Sequence, residues 1–296
     1  MLNAIIAVTL CAPELAPVEG AYVGSFHYRV VDRGNVSRAL ADAWGARLAE
    51  GRRYLLLQPE SGEPVFLRVV ECPPTPGYAL MKTHGWNANE ILVEDVEAVA
   101  RRLEGSAFRT VGPPRPLSTN PEIRAMQVIG PAGELCYLTR IPPGGSLFIK
   151  NPAKAFIDRT FIVVVGGPDM KAMQTFFRDQ LRLEVTAPMP AEIRVLNDAL
   201  GQPASTMTPL ALARVSSSFV IEIDEYPAIT TPRPQRKDDL PPGMAMVTFG
   251  IETFRGVELP WLVPPRVRPE SPYSGRMAAL VRGAAGELIE LVATAG

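Results

Sequence analysis

Gly130-Pro-Ala-Gly-Glu-Leu-Cys-Tyr-Leu138 recurs 153 residues later as Gly283-Ala-Ala-Gly-Glu-Leu-Ile-Glu-Leu291. An offset of half the chain marks an internal duplication. Two further matches keep it: Ala39-Leu-Ala-Asp-Ala-Trp-Gly45 falls on Val195-Leu-Asn-Asp-Ala-Leu-Gly201 at 156, and Pro13-Glu14 falls on Pro168-Asp169 at 155. The 296 residues read as one unit written twice, in agreement with a prior of about 150 residues per domain. Pro142-Pro-Gly-Gly-Ser146 and the tract to Asp158 have the composition of a linker. The expected domains are 1–146 and 156–296.

Outward from the repeat, the hydrophobic period switches between that of strands and that of helices. Asn3–Leu10 and Thr160–Val165 are apolar, β-branched runs that end in turn residues and predict buried strands. Behind Pro168-Asp169, the residues Met170, Met173, Phe176, Phe177 and Leu181 recur at helical spacing. Phe26–Val31, Arg53–Leu57 and Val65–Glu71 follow as strands. The order of strand, helix and three strands returns in Ile91–Val93, Glu94–Leu103, Phe108–Val111, Arg124–Ile129 and Glu134–Ile141. In the last quarter Ala245–Phe249, Met277–Val281 and Glu287–Ala293 predict strands, and the prolines of Trp261–Pro272 exclude a helix. Two inserted helices, Ser37–Trp44 and Ile193–Leu200, are free to cover a cavity mouth.

With 47% hydrophobic and 21% charged residues the composition is globular. Thirty basic against 31 acidic residues, without a long run of one sign, lack the footprint of a nucleic-acid binder. No run of about 18 apolar residues is present to span a bilayer. Met1–Cys11 has no basic start and predicts a strand rather than a signal sequence. The expected location is cytoplasmic, and Cys11, Cys72 and Cys136, with no Cys-x-x-Cys spacing, are expected to be reduced and buried.

Four such modules resemble the vicinal oxygen chelate superfamily of glyoxalases, bleomycin-resistance proteins and extradiol dioxygenases. The resemblance covers nearly the whole chain. It rests on the two Gly-x-x-Gly-Glu-Leu-x-x-Leu strands and on the first-strand endings Val93-Glu-Asp-Val96 and Gly167-Pro-Asp-Met170. It implies an α+β fold of four βαβββ modules paired into two tandem cavity-forming domains. Members that use metal place His on first strands and Glu on fourth strands. Carried over, the fourth-strand positions are Glu290 and Tyr137, and the match of Glu71-Cys-Pro73 to Glu225-Tyr-Pro227 adds Arg68 and Glu222. Counting seven residues back from each turn acid reaches Ala7, Ala88 and Ile162, none of them a ligand. The two histidines, His27 and His84, fall on no ligand position. Glu290 is thus the one family ligand position that keeps a ligand-type residue within a clear motif. No cofactor is expected beyond a weakly held hard divalent cation.

The resemblance and the residues together favour a small-molecule enzyme in which Glu222 and Glu290 share the second cavity. Like charges there would raise one carboxyl's pKa and make it a general acid or base, suited to isomerase or lyase chemistry on an apolar or aromatic substrate. Arg68, Tyr137, His84 and Trp86 are the candidate contacts to a small-molecule ligand. An internal ion pair for Arg68 and a structural role for His84 are the rival readings. Two alternatives stand beside the enzyme: a metal-free sequestering protein of the bleomycin-resistance type, and a cation-dependent relative of the extradiol dioxygenases. Neither nucleic acid nor membrane is an expected partner, and the chain is read as a monomer or homodimer.

Overall fold

The structure, a computed structural model, describes residues 2–117, 120–146, 148–269 and 273–294. The repeated motif forms the same turn in both halves. Gly130 N–H donates to the Glu134 carbonyl and Gly133 N–H to the Gly130 carbonyl, and Gly283, Gly286 and Glu287 repeat both bonds. The second glycine has a φ of 78° at Gly133 and 86° at Gly286, the region that glycine enters without strain. The glutamate folds back over the first glycine, where a Cβ would lie 2.1 Å from Glu134 Oε1 or 1.9 Å from Glu287 Oε1. Each carboxyl accepts from a turn N–H, that of Ala132 or Ala285, at 2.8 Å. Burial pushes both glutamates up to about 7.

These turns join the third and fourth strands of two modules. The first module comprises β1 (Leu2–Ala12), α1 (Leu15–Phe26), β2 (Arg29–Asn35), α2 (Arg38–Ala43), β3 (Arg53–Gln58) and β4 (Phe66–Glu71). The second comprises β5 (Gly85–Val93), α3 (Val96–Leu103), β6 (Arg109–Pro116), β7 (Arg124–Ile129) and β8 (Leu135–Arg140). The third has β9 (Ile157–Gly167), α4 (Met170–Thr175), β10 (Glu184–Val185), β11 (Met189–Glu192), α5 (Arg194–Leu200), β12 (Met207–Arg214) and β13 (Val220–Glu225). The fourth has β14 (Met244–Ile251), β15 (Trp261–Val267), β16 (Met277–Arg282) and β17 (Leu288–Ala293). Asp95 and Asp169 cap α3 and α4, each accepting from the N–H three residues on at 2.9 Å. The helix read from Met170 passes into one π-helical turn at Phe176–Gln180. Phe26, expected to open a strand, instead closes α1, whose Val18, Ala21, Tyr22 and Phe26 share a buried face. Residues 252–260 hold no helix, and the proline-bearing β15 sits at a sheet edge. Residues 270–272 of the proline-rich stretch lie outside the described residues.

In every module the fourth strand runs parallel beside the first, as β4 on β1, β8 on β5, β13 on β9 and β17 on β14. The other edge of each first strand closes antiparallel on another first strand, β1 on β14 and β5 on β9. The result is an eight-stranded sheet, β15-β16-β17-β14-β1-β4-β3-β2, and a nine-stranded sheet, β10-β12-β13-β9-β5-β8-β7-β6 with β11 on β12. Four modules paired into two curled sheets is the expected α+β architecture. The partners differ from the division at 1–146 and 156–296, because the first module joins the fourth and the second joins the third. Repeat matching identifies a module, but it carries no information on which open edge its first strand will meet.

The two sheets share one core through their helix-bearing faces, with Leu67, Val69, Ile289 and Leu291 of the first sheet and Val163, Ile221 and Ile223 of the second in a single cluster. Trp86 is fully buried there, its ring 6.1 Å from that of Phe249 and its Nε1–H donating to the Leu288 carbonyl at 2.7 Å. A β-bulge between Trp86 and Ala88 turns it out of the alternation of β5. Trp86 therefore bridges the sheets and is not a ligand contact. Asp158, fully buried, adds a second link by accepting from Ser61 Oγ at 2.5 Å and Arg159 Nη1 at 2.7 Å. Asn3 Nδ2 donates to Thr294 Oγ1 at 2.8 Å, which sets the two ends of the described chain side by side. Among the described residues no helix is long and apolar enough to cross a membrane.

Trp86→Phe keeps the ring packing but leaves the buried Leu288 carbonyl without its donor. Urea unfolding of this variant is expected to show a loss of about 1–3 kcal/mol with an unchanged denaturant slope. A cost near zero would show that the indole bond does not join the sheets.

Candidate functional site

Arg68 and Glu290 alternate with core residues on β4 and β17, and Glu222 does so on β13, so all three side chains leave the shared core by the outward faces. Because the sheets meet through their other faces, the two outward faces point away from each other. Glu290 belongs to the first sheet and Glu222 to the second, so the pair expected to share a cavity does not. Strand register gives each fourth-strand residue a first-strand neighbour. Thr9 lies beside Arg68 and Thr248 beside Glu290, while Glu90 lies beside Tyr137 and Val164 beside Glu222. Of these neighbours, Thr9, Glu90 and Val164 stand five residues before the turn acid, two beyond the counted Ala7, Ala88 and Ile162 and on the same strand face.

On the first sheet the four positions build a closed ion pair. Glu290, 1% exposed, accepts from Thr248 Oγ1 at 2.5 Å and from the Tyr273 hydroxyl. Arg68 Nη1 lies 3.7 Å from Glu290 Oε2 and donates to Thr9 Oγ1 at 3.3 Å. The Trp44 ring covers the guanidinium at 4.9 Å, and its Nε1–H donates to Tyr273 Oη at 3.1 Å. Trp44 is held there by α2, which Ser37 caps by accepting from Leu40 N–H at 3.1 Å. The inserted helix thus seals this face, and Arg68 is satisfied from within.

On the second sheet the same positions gather acids. Glu90 accepts from Thr139 Oγ1 at 2.5 Å. Asp224, two residues beyond Glu222 on the same face, is 1% exposed, and neither carboxyl oxygen has a hydrogen-bond partner. Burial pushes Glu90 up to about 7 and Asp224 up to about 8. Glu222 rises well above the carboxylate range, through burial first and then through Asp224 and Glu90. Tyr137 is raised by burial and then by Glu222 and Asp224. Among the described residues no cation acts on these three carboxyls. Apolar clusters flank them, one with Val164, Leu135 and Leu196 of α5, the other with Leu92, Ile149 and Phe161. Glu222 and Tyr137 keep partial exposure between these walls.

Alternation marks Asp224 already in the sequence, as Glu222-Ile-Asp224. Glu90 was hidden by the count that ended on Ala88. His84 Nε2 lies 3.0 Å from Thr230 Oγ1, and burial and then Arg233 hold its pKa below the usual value, so no acid of the cluster acts on it. A groove of about 490 Å³ opens elsewhere, lined by Asp169, Lys171, Phe176, Pro260, Arg282 and Gly283. It shares no residue with either face, and Asp169 is engaged there as a helix cap. The acid cluster is the better candidate because its acids act on one another and one of them, Asp224, has no hydrogen-bond partner.

No protein-family model and no curated protein matches the sequence. Solved structures do. Glyoxalase I from Zea mays is similar with a TM-score of 0.64 at 12% identity, over 98% of this chain and 92% of that chain. A presumed dioxygenase from Bacillus subtilis is similar with a TM-score of 0.63 at 12% identity, over 99% and 85%. The chain has the vicinal oxygen chelate fold. At its fourth-strand positions and their register neighbours, the first sheet offers Thr9, Arg68, Thr248 and Glu290, and a guanidinium beside the only carboxylate of the four does not fit a divalent cation. The second offers Glu90, Tyr137, Val164 and Glu222, without an imidazole, and among the described residues no three His, Cys, Asp or Glu side chains are grouped to hold a metal. This donor set fits neither iron nor zinc.

Two outcomes follow for stability. Arg68→Met or Glu290→Leu alone strands a buried charge and is expected to cost about 3–5 kcal/mol in urea unfolding, while the double variant regains most of it. Strictly additive losses would show that the two charges are not coupled. The raised carboxyls fix the pH profile. Glu90, Glu134, Glu287 and Asp224 stay protonated in the native chain up to about 7 or 8, whereas in the unfolded chain carboxyls titrate near about 4. The native state then binds more protons than the unfolded state, so stability is greatest below about pH 4 as far as these groups act, falls as pH rises, and levels above about pH 8. Asp224→Asn should flatten the upper end of that fall in urea titrations between about pH 6 and 9. A wild-type stability that rises across this range would contradict the assignment.

Proposed function

We propose that the protein is a small-molecule enzyme working by proton transfer on the outward face of its second sheet. Glu222 and Glu90 pass the proton, Asp224 keeps the shared charge low, and Tyr137 donates a hydrogen bond to a substrate oxygen. The observation that carries this reading is the gathering of buried Glu90 and Asp224 with the partly exposed Glu222, on which no cation acts among the described residues. Like charges in a dry site cannot all ionise, so near neutral pH the cluster holds both a protonated acid and a carboxylate base, the two partners that an isomerisation or lyase step requires. The flanking apolar walls suit a neutral, apolar or aromatic carbonyl compound. The chemistry needs only positioned acids and bases, in keeping with a donor set that fits neither iron nor zinc.

Exchange of α-protons for deuterium, followed by NMR on a panel of aryl ketones and 1,3-diketones, tests the reading without knowledge of the natural substrate. Wild-type protein is expected to accelerate exchange of at least one compound, and Glu222→Gln and Glu90→Gln to reduce that acceleration by about 100-fold or more with binding retained. Binding of panel members with no exchange would replace the enzyme by a sequestering protein. Exchange that appears only on addition of iron(II) would favour the dioxygenase relative.

A further inference from the structure

We infer that Cys11 and Cys72 are a reversible redox pair that closes into a disulfide when the protein meets a hydroperoxide. The two residues are far apart in sequence, but the β1–β4 ladder brings them together. Cys11 pairs in register with Val70, and Cys72 N–H donates to the Ala12 carbonyl at 2.8 Å, one step past the last ladder pair. Alternation places Thr9 and Cys11 on the same face as Arg68, Val70 and Cys72. The sulfurs lie 2.7 Å apart, inside the ordinary contact distance of two sulfur atoms. Both residues are buried in the smaller core of the first sheet, with 6% of Cys11 and 7% of Cys72 exposed.

The surroundings of the two sulfurs differ. Arg52 Nη1 lies 3.4 Å from Cys72 Sγ, and its guanidinium is fixed by two bonds to the Asp239 carboxylate at 2.6 and 2.9 Å. A fixed cation beside one sulfur favours its thiolate, the nucleophilic form. The contact with Cys11 and the charge of Arg52 hold Cys72 below the usual thiol range against its burial, while contact with Cys72 and burial push Cys11 well above it. Cys72 is thus the attacking thiolate and Cys11 the resolving thiol. Cys136, fully buried against the Tyr22 hydroxyl and with its pKa driven far upward by burial, is an internal control.

The Cys72 thiolate attacks a peroxide oxygen and the O–O bond breaks. The leaving alkoxide takes a proton and departs as an alcohol, leaving Cys72 as a sulfenic acid. Cys11 sulfur then attacks Cys72 sulfur, the S–O bond breaks, and hydroxide leaves as water with the proton of Cys11. Two thiols lose two electrons, and the peroxide is reduced to alcohol and water. The product closes a span of 61 residues within the first sheet, so oxidation should also stabilise that sheet.

The test uses wild-type protein treated with tert-butyl hydroperoxide, then alkylated and examined by intact and peptide mass spectrometry. The expected product is a monomer lighter by two hydrogens, with a peptide cross-link between Cys11 and Cys72, Cys136 alkylated, a higher unfolding temperature than the reduced form, and full reversal by dithiothreitol. Arg52→Gln is expected to slow disulfide formation about tenfold. Three thiols still alkylated after treatment, a cross-link to Cys136 or to a second chain, or Cys72 carried to a sulfinic acid beside a free Cys11 would each overturn the proposal.

Discussion

A strand flanked on one side only leaves a row of backbone donors and acceptors that must find partners. Each first strand in this protein is in that position, with its own fourth strand on one edge and nothing from its module on the other. Closing β1 on β14 and β5 on β9 satisfies both edges of all four first strands, and the rest of the molecule follows from those two seams. They join modules into sheets and turn the helix-bearing faces into one core. They also set the outward fourth-strand residues of two modules on either side of a seam, Arg68 across from Glu290 and Tyr137 across from Glu222.

One frame, used twice, has reached opposite electrostatic solutions. On the first sheet a cation and an anion meet, hydroxyls of Thr9, Thr248 and Tyr273 take up the remaining hydrogen-bonding capacity, and Trp44 excludes water. A buried pair so supplied is stable mainly because separating it would strand a charge. On the second sheet the cation is replaced by Tyr137 and acids are added at Glu90 and Asp224, so desolvation opposes ionisation instead of being offset by a partner. Asp224, costly to ionise and left without a hydrogen-bond partner, is poorly explained by stability and well explained by chemistry.

The modules were legible because their signals are local: the period of a strand, the Asp caps of α3 and α4, and a glycine turn braced by its own glutamate. The four fourth-strand residues were also legible, since aligning one module on another needs no knowledge of packing. Their grouping was not, because membership of a face depends on which first strands meet, a choice made between strands far apart in the chain. Trp86 shows a second limit, since a single bulge reversed the side to which the alternation of β5 would have sent it. Glu90 shows a third, since a count from the turn does not reveal which residue the parallel ladder sets beside Tyr137.

The contact between Asn3 and Thr294 has a consequence for the order in which the molecule can be made. A ribosome releases the modules in sequence, and the two middle ones, residues 85–225, form a complete sheet from one continuous stretch. The first module emerges earlier yet must wait longest, because the edge of β1 stays bare until Met244–Ile251 has left the exit tunnel. Throughout that interval the nascent chain displays a long apolar strand able to pair with a neighbouring copy. The strand that protects the first module is therefore made only after the whole of the second sheet.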